Sequence, residues 1–251
     1  MGEPAPKKGA PIRIAMWSGP RNLSTALMRS FGARADCAVA DEPFYAAYLA
    51  SGVEHPMKRE ILAAHETDPE AVARTLLGPA PGGRAIWYQK HMPHHMLPGF
   101  PRGWFAACRH AVLIRAPERV AASFDAGRPR PTLEDLGVPQ LDDVIAGIER
   151  ATGRTPPVIE AEDIRADPEG MLRALVAALD IPFDAAMLAW PPGPRPTDGV
   201  WAAHWYGAVL ASSGFAPPPR EEPVLAPHLR EIAARARPSF ERLQARKLTP
   251  L

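Results

Sequence analysis

The sequence predicts an α/β protein with a doubly wound, mostly parallel sheet, a P-loop-like strand–turn–helix at its start and helices on both faces. Two observations support this class. Short apolar runs alternate with segments of helical periodicity, and no internal repeat is present. The apolar runs that are typical of buried strands lie at 12–17, 36–40, 84–89, 109–115 and 157–161.

The size and charge of the chain limit its organisation and its partners. With 251 residues it is long enough for one sizeable core and short for two, so we expect a loose tail over 1–11 and a single domain over 12–251. The net charge is +1, from 29 Lys and Arg against 28 Asp and Glu, which predicts neither nucleic acid nor an anionic membrane as a partner.

The same survey suggests a cellular compartment. No run reaches the roughly 18 apolar residues of a membrane-spanning helix, and the tail lacks the apolar stretch of a signal peptide. Cys37 and Cys108 lie in apolar surroundings, which is typical of reduced core thiols. We therefore expect a cytoplasmic protein.

The chain is organised around its first strand, turn and helix, which together span 12–31. Gly19 ends the strand, and Ser24 and Thr25 stand where the helix begins. Such a turn offers backbone N–H groups and the positive end of the helix dipole to a phosphate or sulfate, and Arg21 adds a full charge. The stretch predicts either an anion cradle or an ordinary strand–turn–helix that binds nothing.

Helical patterns separate the later strands. Helices are expected over 55–78, 116–124, 141–152, 168–179 and 225–248. We expect the first of these to break near Asp68 and the last to break at Pro238. The segment 193–214 is irregular and aromatic, and it is either a lid over a cleft or packed surface.

Charged side chains follow the ends of two predicted strands. Asp41 and Glu42 come after the second strand, and Lys90 and His91 come at the end of the third. Open α/β sheets keep their sites at the carboxyl ends of the strands. We therefore expect Lys90 and His91 to face one cleft beside the first turn.

Three nearby histidines, His91, His94 and His95, raise the question of a metal site. No partner cluster of Cys or further His stands at the usual ligand spacing, so we expect no zinc. His94 and His95 are assigned to the loop surface.

Three spaced motifs carry a resemblance to a known family. The turn over 20–25 reads Pro-Arg-Asn-Leu-Ser-Thr and lacks the Gly-Lys-Ser/Thr ending of a Walker A motif. Arg115 ends the fourth strand, and Ser123 follows eight residues later in the next helix. Residues 89–93 read Gln-Lys-His-Met-Pro. In order and in strand–helix context, these motifs resemble those of the sulfotransferases that use 3′-phosphoadenosine-5′-phosphosulfate (PAPS), with their Pro-Lys/Arg-Ser-Gly-Thr-Thr and Lys-Thr-His-Leu-Pro motifs.

The resemblance implies a set of nucleotide-binding residues. It assigns the 5′-phosphosulfate to the first loop, the 3′-phosphate to the Arg and Ser pair, and a late basic loop to the cofactor. The implied cofactor-binding residues are Arg21, Asn22, Leu23, Ser24, Thr25, Arg115, Ser123 and Arg195. Two positions depart from the family pattern: Leu23 replaces the loop glycine, and Ala161 replaces a tyrosine often found before Glu-Asp.

The resemblance also implies a reaction, sulfuryl transfer from PAPS to a hydroxyl or amine of a small-molecule acceptor, with PAP as product and no metal. Arg21 and Lys90 would steady the bridging and sulfuryl oxygens as charge builds on the departing phosphate. Glu42 or His91 would take the acceptor's proton, and Glu42 is preferred because Pro43 fixes it at a strand end. The loops 44–54 and 197–215 are expected to line the acceptor pocket. Two alternatives stay open, a P-loop kinase of a small metabolite and a non-catalytic adenylate-binding protein of the same fold.

Overall fold

Five parallel strands form the central sheet in the computed structural model of the chain, which describes residues 9–125 and 131–251. The strands are β1 (Ile12–Ser18), β2 (Cys37–Asp41), β3 (Ile86–His91), β4 (Arg109–Ile114) and β5 (Val158–Glu160). They lie in the order β2-β3-β1-β4-β5, and every neighbouring pair is parallel. The predicted α/β class is confirmed, whereas most of the predicted tail, residues 1–8, lies outside the described residues.

β1 lies at the centre of the sheet, and the chain moves away from it in two directions. β2 and β3 lie on one side, and β4 and β5 lie on the other. Connections that leave in opposite directions open a crevice at the carboxyl end of the central strand, where ligands bind in open α/β sheets. The fold therefore brings the ends of β1, β2, β3 and β4 to one crevice.

Helices cover both faces of the sheet, as the sequence predicts. They are α1 (Ser24–Gly32), α2 (Tyr45–Ala50), α3 (Lys58–Ala64), α4 (Pro69–Leu76), α5 (Pro117–Asp125), α6 (Val138–Thr152), α7 (Ala161–Ala166), α8 (Pro168–Ala178), α9 (Ala202–Trp205), α10 (Gly207–Leu210) and α11 (Pro227–Gln244). Helices α1, α2, α3, α7 and α8 contribute to one apolar layer, and α4, α6 and α11 contribute to the other. Of the helices within the described residues, none combines the length and the apolar character needed to cross a membrane.

Successive side chains of β1 point to opposite faces of the sheet, so this strand contributes to both apolar layers. Ile14 and Met16 pack with Leu27 and Phe31 of α1, while Trp17 packs on the opposite face. All five side chains are fully buried. Burial of an apolar side chain of this size contributes about 1.5–3 kcal/mol, so this strand and helix anchor the sheet from both sides.

The predicted break near Asp68 is confirmed. α3 ends at Ala64, and α4 begins at Pro69. The Asp68 carboxylate accepts hydrogen bonds from the backbone N–H groups of Glu70 and Ala71, at 3.0 and 3.2 Å. An aspartate cap followed by proline in the first helical position favours a new helix start here.

The predicted break at Pro238 is wrong, because α11 continues through this residue. Proline in a helix interior removes one backbone hydrogen bond and costs about 3 kcal/mol or more. α11 buries Leu229 and Ala233 before Pro238, and Phe240 and Leu243 after it. Packing on both sides therefore holds the helix together across the proline.

The proline in α11 leads to a test of stability. Replacement of Pro238 by Ala restores the missing backbone donor at an exposed position, so we expect the free energy of unfolding to rise by about 1–3 kcal/mol. Urea denaturation measures the change. As a matched control, Pro227→Ala at the first turn of the same helix should change stability little, because proline is tolerated there. Equal effects of the two substitutions would contradict this account of α11.

Candidate functional site

A cavity of about 340 Å³ opens at the carboxyl edge of the sheet. Its walls come from the turn after β1, the residues after β2 and β3, helix α5 and the segment 201–209. The turn provides Arg21, Asn22, Leu23, Ser24 and Thr25 to this wall. The five turn residues predicted to cradle an anion therefore do line one cavity.

The turn after β1 has an unusual backbone. Arg21 and Leu23 have φ values of 62° and 71°, in the left-handed region that favours glycine. A Cβ at Gly19 would collide with the carbonyl oxygen of Leu136, so glycine is required there. Leu23 thus adopts a glycine-like conformation although it is not glycine, and the turn still leads directly into α1.

The start of α1 is available to an anion. Leu23 stands at the N-cap, and among the described residues no side chain caps the helix with a hydrogen bond. The first N–H groups of a helix have no partner within the helix and carry a partial positive charge. Ser24 and Thr25, the first two residues of α1, line the cavity.

A cationic wall, formed by Arg21, Arg115 and Arg165, lies beside this helix start. Arg21 Nε donates to Ser123 Oγ at 2.9 Å, and Arg115 Nη1 donates to the Arg21 carbonyl oxygen at 3.0 Å. Glu162 Oε1 accepts from Arg115 Nε at 2.9 Å. Burial, followed by repulsion from Arg115, lowers the pKa of Arg21 and of Arg165. Even with the carboxylates of Glu162 and Asp135 counted against them, the three guanidinium groups leave this part of the cavity positive and suited to an anion.

A lysine cluster, made of Lys90, Asp41, Glu42 and Tyr206, lies at another part of the cavity, which Lys90, Glu42 and Tyr206 line. Lys90 Nζ donates to Asp41 Oδ1 at 2.9 Å, to Glu42 Oε1 at 2.6 Å and to the Tyr206 hydroxyl at 2.7 Å. The Tyr206 hydroxyl donates to Asp41 Oδ2 at 2.7 Å and accepts from Trp201 Nε1 at 3.1 Å. All three ammonium hydrogens are therefore used within the protein.

The pKa values in the lysine cluster reflect burial and pairing. Burial alone would lower the pKa of Lys90, but Asp41 and Glu42 outweigh it, and the pKa is raised well above its ordinary value. Burial raises the pKa of the Glu42 carboxyl, and Lys90 opposes this shift. Glu42 also has a φ of 45°, so its backbone turns sharply as the chain leaves β2. The result is a carboxylate with raised basicity at the cavity wall.

His91 does not join this wall, and the expectation that it shares a cleft with Lys90 is wrong. Successive residues of a strand point to opposite faces of the sheet, so Lys90 faces the cavity and His91 does not. Its ring stacks on Trp17 and Trp104, with centroid separations of 4.7 and 4.9 Å. Burial lowers its pKa well below the ordinary value. His91 is thus a neutral core residue.

The surface assignment of the other two histidines is also wrong. His95 is 2% exposed and lines the cavity, and the partly buried His94 lines it too. A three-residue helical turn, Pro93–His95, carries both side chains back across the cleft. A segment of three residues is too short to show a helical pattern in the sequence, so the position of these histidines at the cavity could not be predicted.

Arg195 lies outside the cavity wall. Its guanidinium donates to the backbone carbonyl oxygens of Pro191, Gly193 and Pro194. The same segment instead provides Trp201, Trp205, Tyr206, Ala208 and Val209 to the cavity. The Gly199 N–H also donates to Asp41 Oδ2 at 3.2 Å, so this segment is packed against the lysine cluster.

The loops 44–54 and 197–215, expected to line an acceptor pocket, do contribute to this cavity. They provide Tyr45, Tyr48, Trp201, Trp205 and Tyr206. His55 and Arg165 are wall residues that the sequence analysis missed. The contacts of Tyr206 with Lys90 and Asp41 join residues more than 100 positions apart in sequence. Among the described residues, no group of three or more His, Cys, Asp or Glu side chains is arranged to hold a metal ion; the expectation that none is needed stays a prediction.

Comparison with known proteins identifies the family. A family model described as a sulfotransferase domain matches residues 12–247. The chain belongs to the sulfotransferase domain family. Three solved sulfotransferase structures have a similar fold. Their sequences are only 14–17% identical to this chain, so the similarity supports the fold alone.

The structural neighbours cover nearly the whole chain. The sulfotransferase from Alicyclobacillus acidocaldarius aligns with a TM-score of 0.56, 16% identity, 94% of this chain and 95% of its own. The sulfotransferase domain of the curacin biosynthetic pathway has a TM-score of 0.52 and 14% identity, and the alignment covers 90% of this chain and 97% of that domain. The sulfotransferase domain of the Synechococcus PCC 7002 olefin synthase has a TM-score of 0.52 and 17% identity, and the alignment covers 93% of this chain and 97% of that domain.

Two curated plant proteins are more similar in sequence. Branched-chain-amino-acid aminotransferase-like protein 2 of Arabidopsis thaliana is 40% identical over 206 residues, which are 82% of this chain and 36% of that protein. Branched-chain-amino-acid aminotransferase-like protein 1 of Arabidopsis thaliana is 40% identical over 209 residues, which are 83% of this chain and 37% of that protein. The chain thus spans about a third of the length of these relatives, and their name describes those longer proteins.

The lysine cluster leads to a second test. Lys90→Met removes the only counter-charge that the structure shows bonded to both Asp41 and Glu42, and we expect a loss of about 3–5 kcal/mol in the free energy of unfolding. Lys58→Met, which breaks a surface pair with Glu54, should cost no more than about 1 kcal/mol. Urea denaturation at pH 7 compares the two. Similar losses in both variants would show that the buried cluster is not a major source of stability.

Proposed function

We propose that this sulfotransferase-family protein transfers the sulfuryl group of PAPS to a hydroxyl or amine of a small-molecule acceptor. One observation carries the proposal: a single cavity has the cationic wall and the α1 start on one side and the Glu42 carboxylate on the other. Anion binding and proton removal are the two tasks that such a reaction requires. The cavity volume, about 340 Å³, falls in the range of small-molecule sites.

The cationic wall suits a ligand with two separate anionic groups. In our proposal the N–H groups at the start of α1 and the Arg21 guanidinium hold the 5′-phosphosulfate. Arg115 and Ser123 hold the 3′-phosphate, since both line the same cavity and are joined through Arg21. Arg165, which the sequence reasoning missed, adds positive charge to this wall. Arg195 is left out of this set because its guanidinium is turned to backbone carbonyl groups.

Glu42 is the base in this proposal. The acceptor oxygen or nitrogen forms a bond to sulfur, the bond from sulfur to the phosphate oxygen breaks with its electron pair on PAP, and the acceptor proton goes to Glu42. The raised pKa of Glu42 increases its affinity for this proton, while Lys90 keeps the carboxylate ionised beforehand. Lys90 therefore acts through Glu42, and Arg21 stabilises the departing phosphate.

We further propose a cytoplasmic location, on the evidence of the two cysteines. Cys37 and Cys108 are both free and buried, and burial raises the pKa of each thiol to about 12. Such thiols persist in a reducing compartment.

The proposed donor is tested by ligand-induced stabilisation. PAP should raise the melting temperature more than ADP does, because Arg115 and Ser123 would recognise the additional 3′-phosphate. A ligand at 100 times its dissociation constant adds about 2.7 kcal/mol of stability. Arg115→Ala should abolish the difference between PAP and ADP, whereas Arg173→Ala, which removes an exposed pair with Glu169, should preserve it. Stabilisation by ATP with Mg²⁺ but not by PAP would favour a kinase instead.

The proposed base is tested by kinetics. Glu42→Gln should retain PAP affinity and lose on the order of 10²-fold or more in turnover, because the base acts only in the transition state. His91→Phe, which preserves the ring stack with Trp17 and Trp104, should retain most of the activity. If Glu42→Gln is active and His91→Phe is inactive, the assignment reverses.

The pH profile gives an independent reading of the same base. In the wild-type protein kcat/KM should fall as the pH falls through the raised pKa of Glu42, because the protonated carboxyl cannot accept the acceptor's proton. This acidic limb should be absent from the residual activity of Glu42→Gln. PAP binding that persists without transfer to any acceptor would identify a non-catalytic binding protein.

A further inference from the structure

His95 has a buried ring nitrogen that lacks a hydrogen-bond partner among the described residues. The side chain is 2% exposed, and no described residue makes a hydrogen bond to its Nδ1 atom. Buried polar atoms in folded proteins nearly always make a hydrogen bond. Because His95 lines the cavity, an unpartnered Nδ1 at this wall indicates a group that a ligand satisfies.

The His95 ring is held in a fixed orientation. It stacks on Tyr45 with a centroid separation of 4.5 Å and an interplanar angle of 12°, and on Tyr48 at 4.9 Å and 26°. Tyr45 is itself held through a 2.6 Å contact between its hydroxyl and His55 Nδ1. A ring clamped in this way presents Nδ1 in one direction.

That direction is toward the proposed base. His95 Nδ1 lies 3.9 Å from Glu42 Oε2, while Lys90 occupies the other carboxylate oxygen at 2.6 Å. A separation of 3.9 Å is too long for a direct hydrogen bond. A single oxygen atom can, however, lie about 2.8 Å from both Nδ1 and Oε2, within hydrogen-bond distance of each.

The His95 ring is a neutral donor at this position. Burial, and then the neighbouring His94 and His55, lower its pKa well below the ordinary value. A neutral imidazole carries one hydrogen, and the neighbouring charges decide which nitrogen holds it. The Glu42 carboxylate favours the hydrogen on Nδ1, because a lone pair there would face negative charge.

We propose that His95 Nδ1–H and Glu42 Oε2 together hold the reacting group of the acceptor, and that this pair selects a hydroxyl over an amine. The inference rests on the proposed function and deepens it. A hydroxyl oxygen has two lone pairs: one forms the bond to sulfur and the other accepts from His95, while the O–H proton goes to Glu42. An amine nitrogen has one lone pair, which must form the bond to sulfur and so leaves nothing for the His95 donor. His95 is therefore a catalytic residue that determines the acceptor class.

Matched acceptors with one skeleton test the selection. Transfer from radiolabelled PAPS is measured with phenol against aniline and with 2-naphthol against 2-naphthylamine, and with water alone as a further hydroxyl acceptor. We expect kcat/KM for each hydroxyl compound to exceed that for its amine by at least tenfold. His95→Phe keeps the ring between the tyrosines and should lose tenfold or more on the hydroxyl compounds only, so the ratio collapses. PAP affinity should be unchanged.

Further variants separate the donor from a packing role. Asn places an amide N–H near the position of Nδ1, and Gln places it near Nε2, so His95→Asn should retain more hydroxyl transfer than His95→Gln. This comparison holds even if His95→Phe fails to fold. His228→Phe, at an exposed histidine outside the cavity, should match the wild type.

The outcomes distinguish this inference from the proposed function. A preference for amines, an unchanged hydroxyl rate in His95→Phe, or equal rates in His95→Asn and His95→Gln would overturn the role of His95 and leave the enzyme class intact. A failure to bind PAP, or binding without transfer to any acceptor including water, would overturn the proposed function itself.

Discussion

The buried ammonium group of Lys90 is the interaction on which this cavity depends. Two carboxylates, Asp41 and Glu42, follow each other at the end of β2, and both side chains are buried. Without a cation between them, they would repel each other and resist burial. Lys90 satisfies both, and its third hydrogen bond reaches Tyr206. One side chain of β3 thereby joins β2, its own strand and the segment after α8.

The arginines and the Glu42 carboxylate line different parts of the cavity. Arg21 follows β1 and Arg115 follows β4, whereas Glu42 follows β2. This separation follows from the strand order, since β3, which carries Lys90, lies between β2 and β1. One cavity therefore holds the arginine charges and this carboxylate without pairing the two directly.

The sequence predicts those parts of the site that depend on local pattern. Arg115 and Ser123 were found because a strand followed by a helix fixes their spacing, and the turn over 20–25 was found through its flanking strand and helix. The prediction that Lys90 and His91 face the same cleft was wrong for an equally local reason, because adjacent residues of a strand point to opposite faces of the sheet. Arg165, the return of His95 and the contact of Tyr206 with Lys90 could not be predicted, since tertiary packing alone produces them.

The contact between Tyr206 and Asp41 also has a consequence for assembly. These residues are separated by 165 positions, and the Gly199–Asp41 contact by 158. Contacts of such long range form late, because the intervening chain must first be ordered. During synthesis the carboxylates of β2 and the Lys90 ammonium emerge well before their last partners, and they remain hydrated until the aromatic segment closes over them. Burial of the lysine cluster is thus the same event as completion of the fold, and a partly folded chain has not yet assembled this side of the cavity.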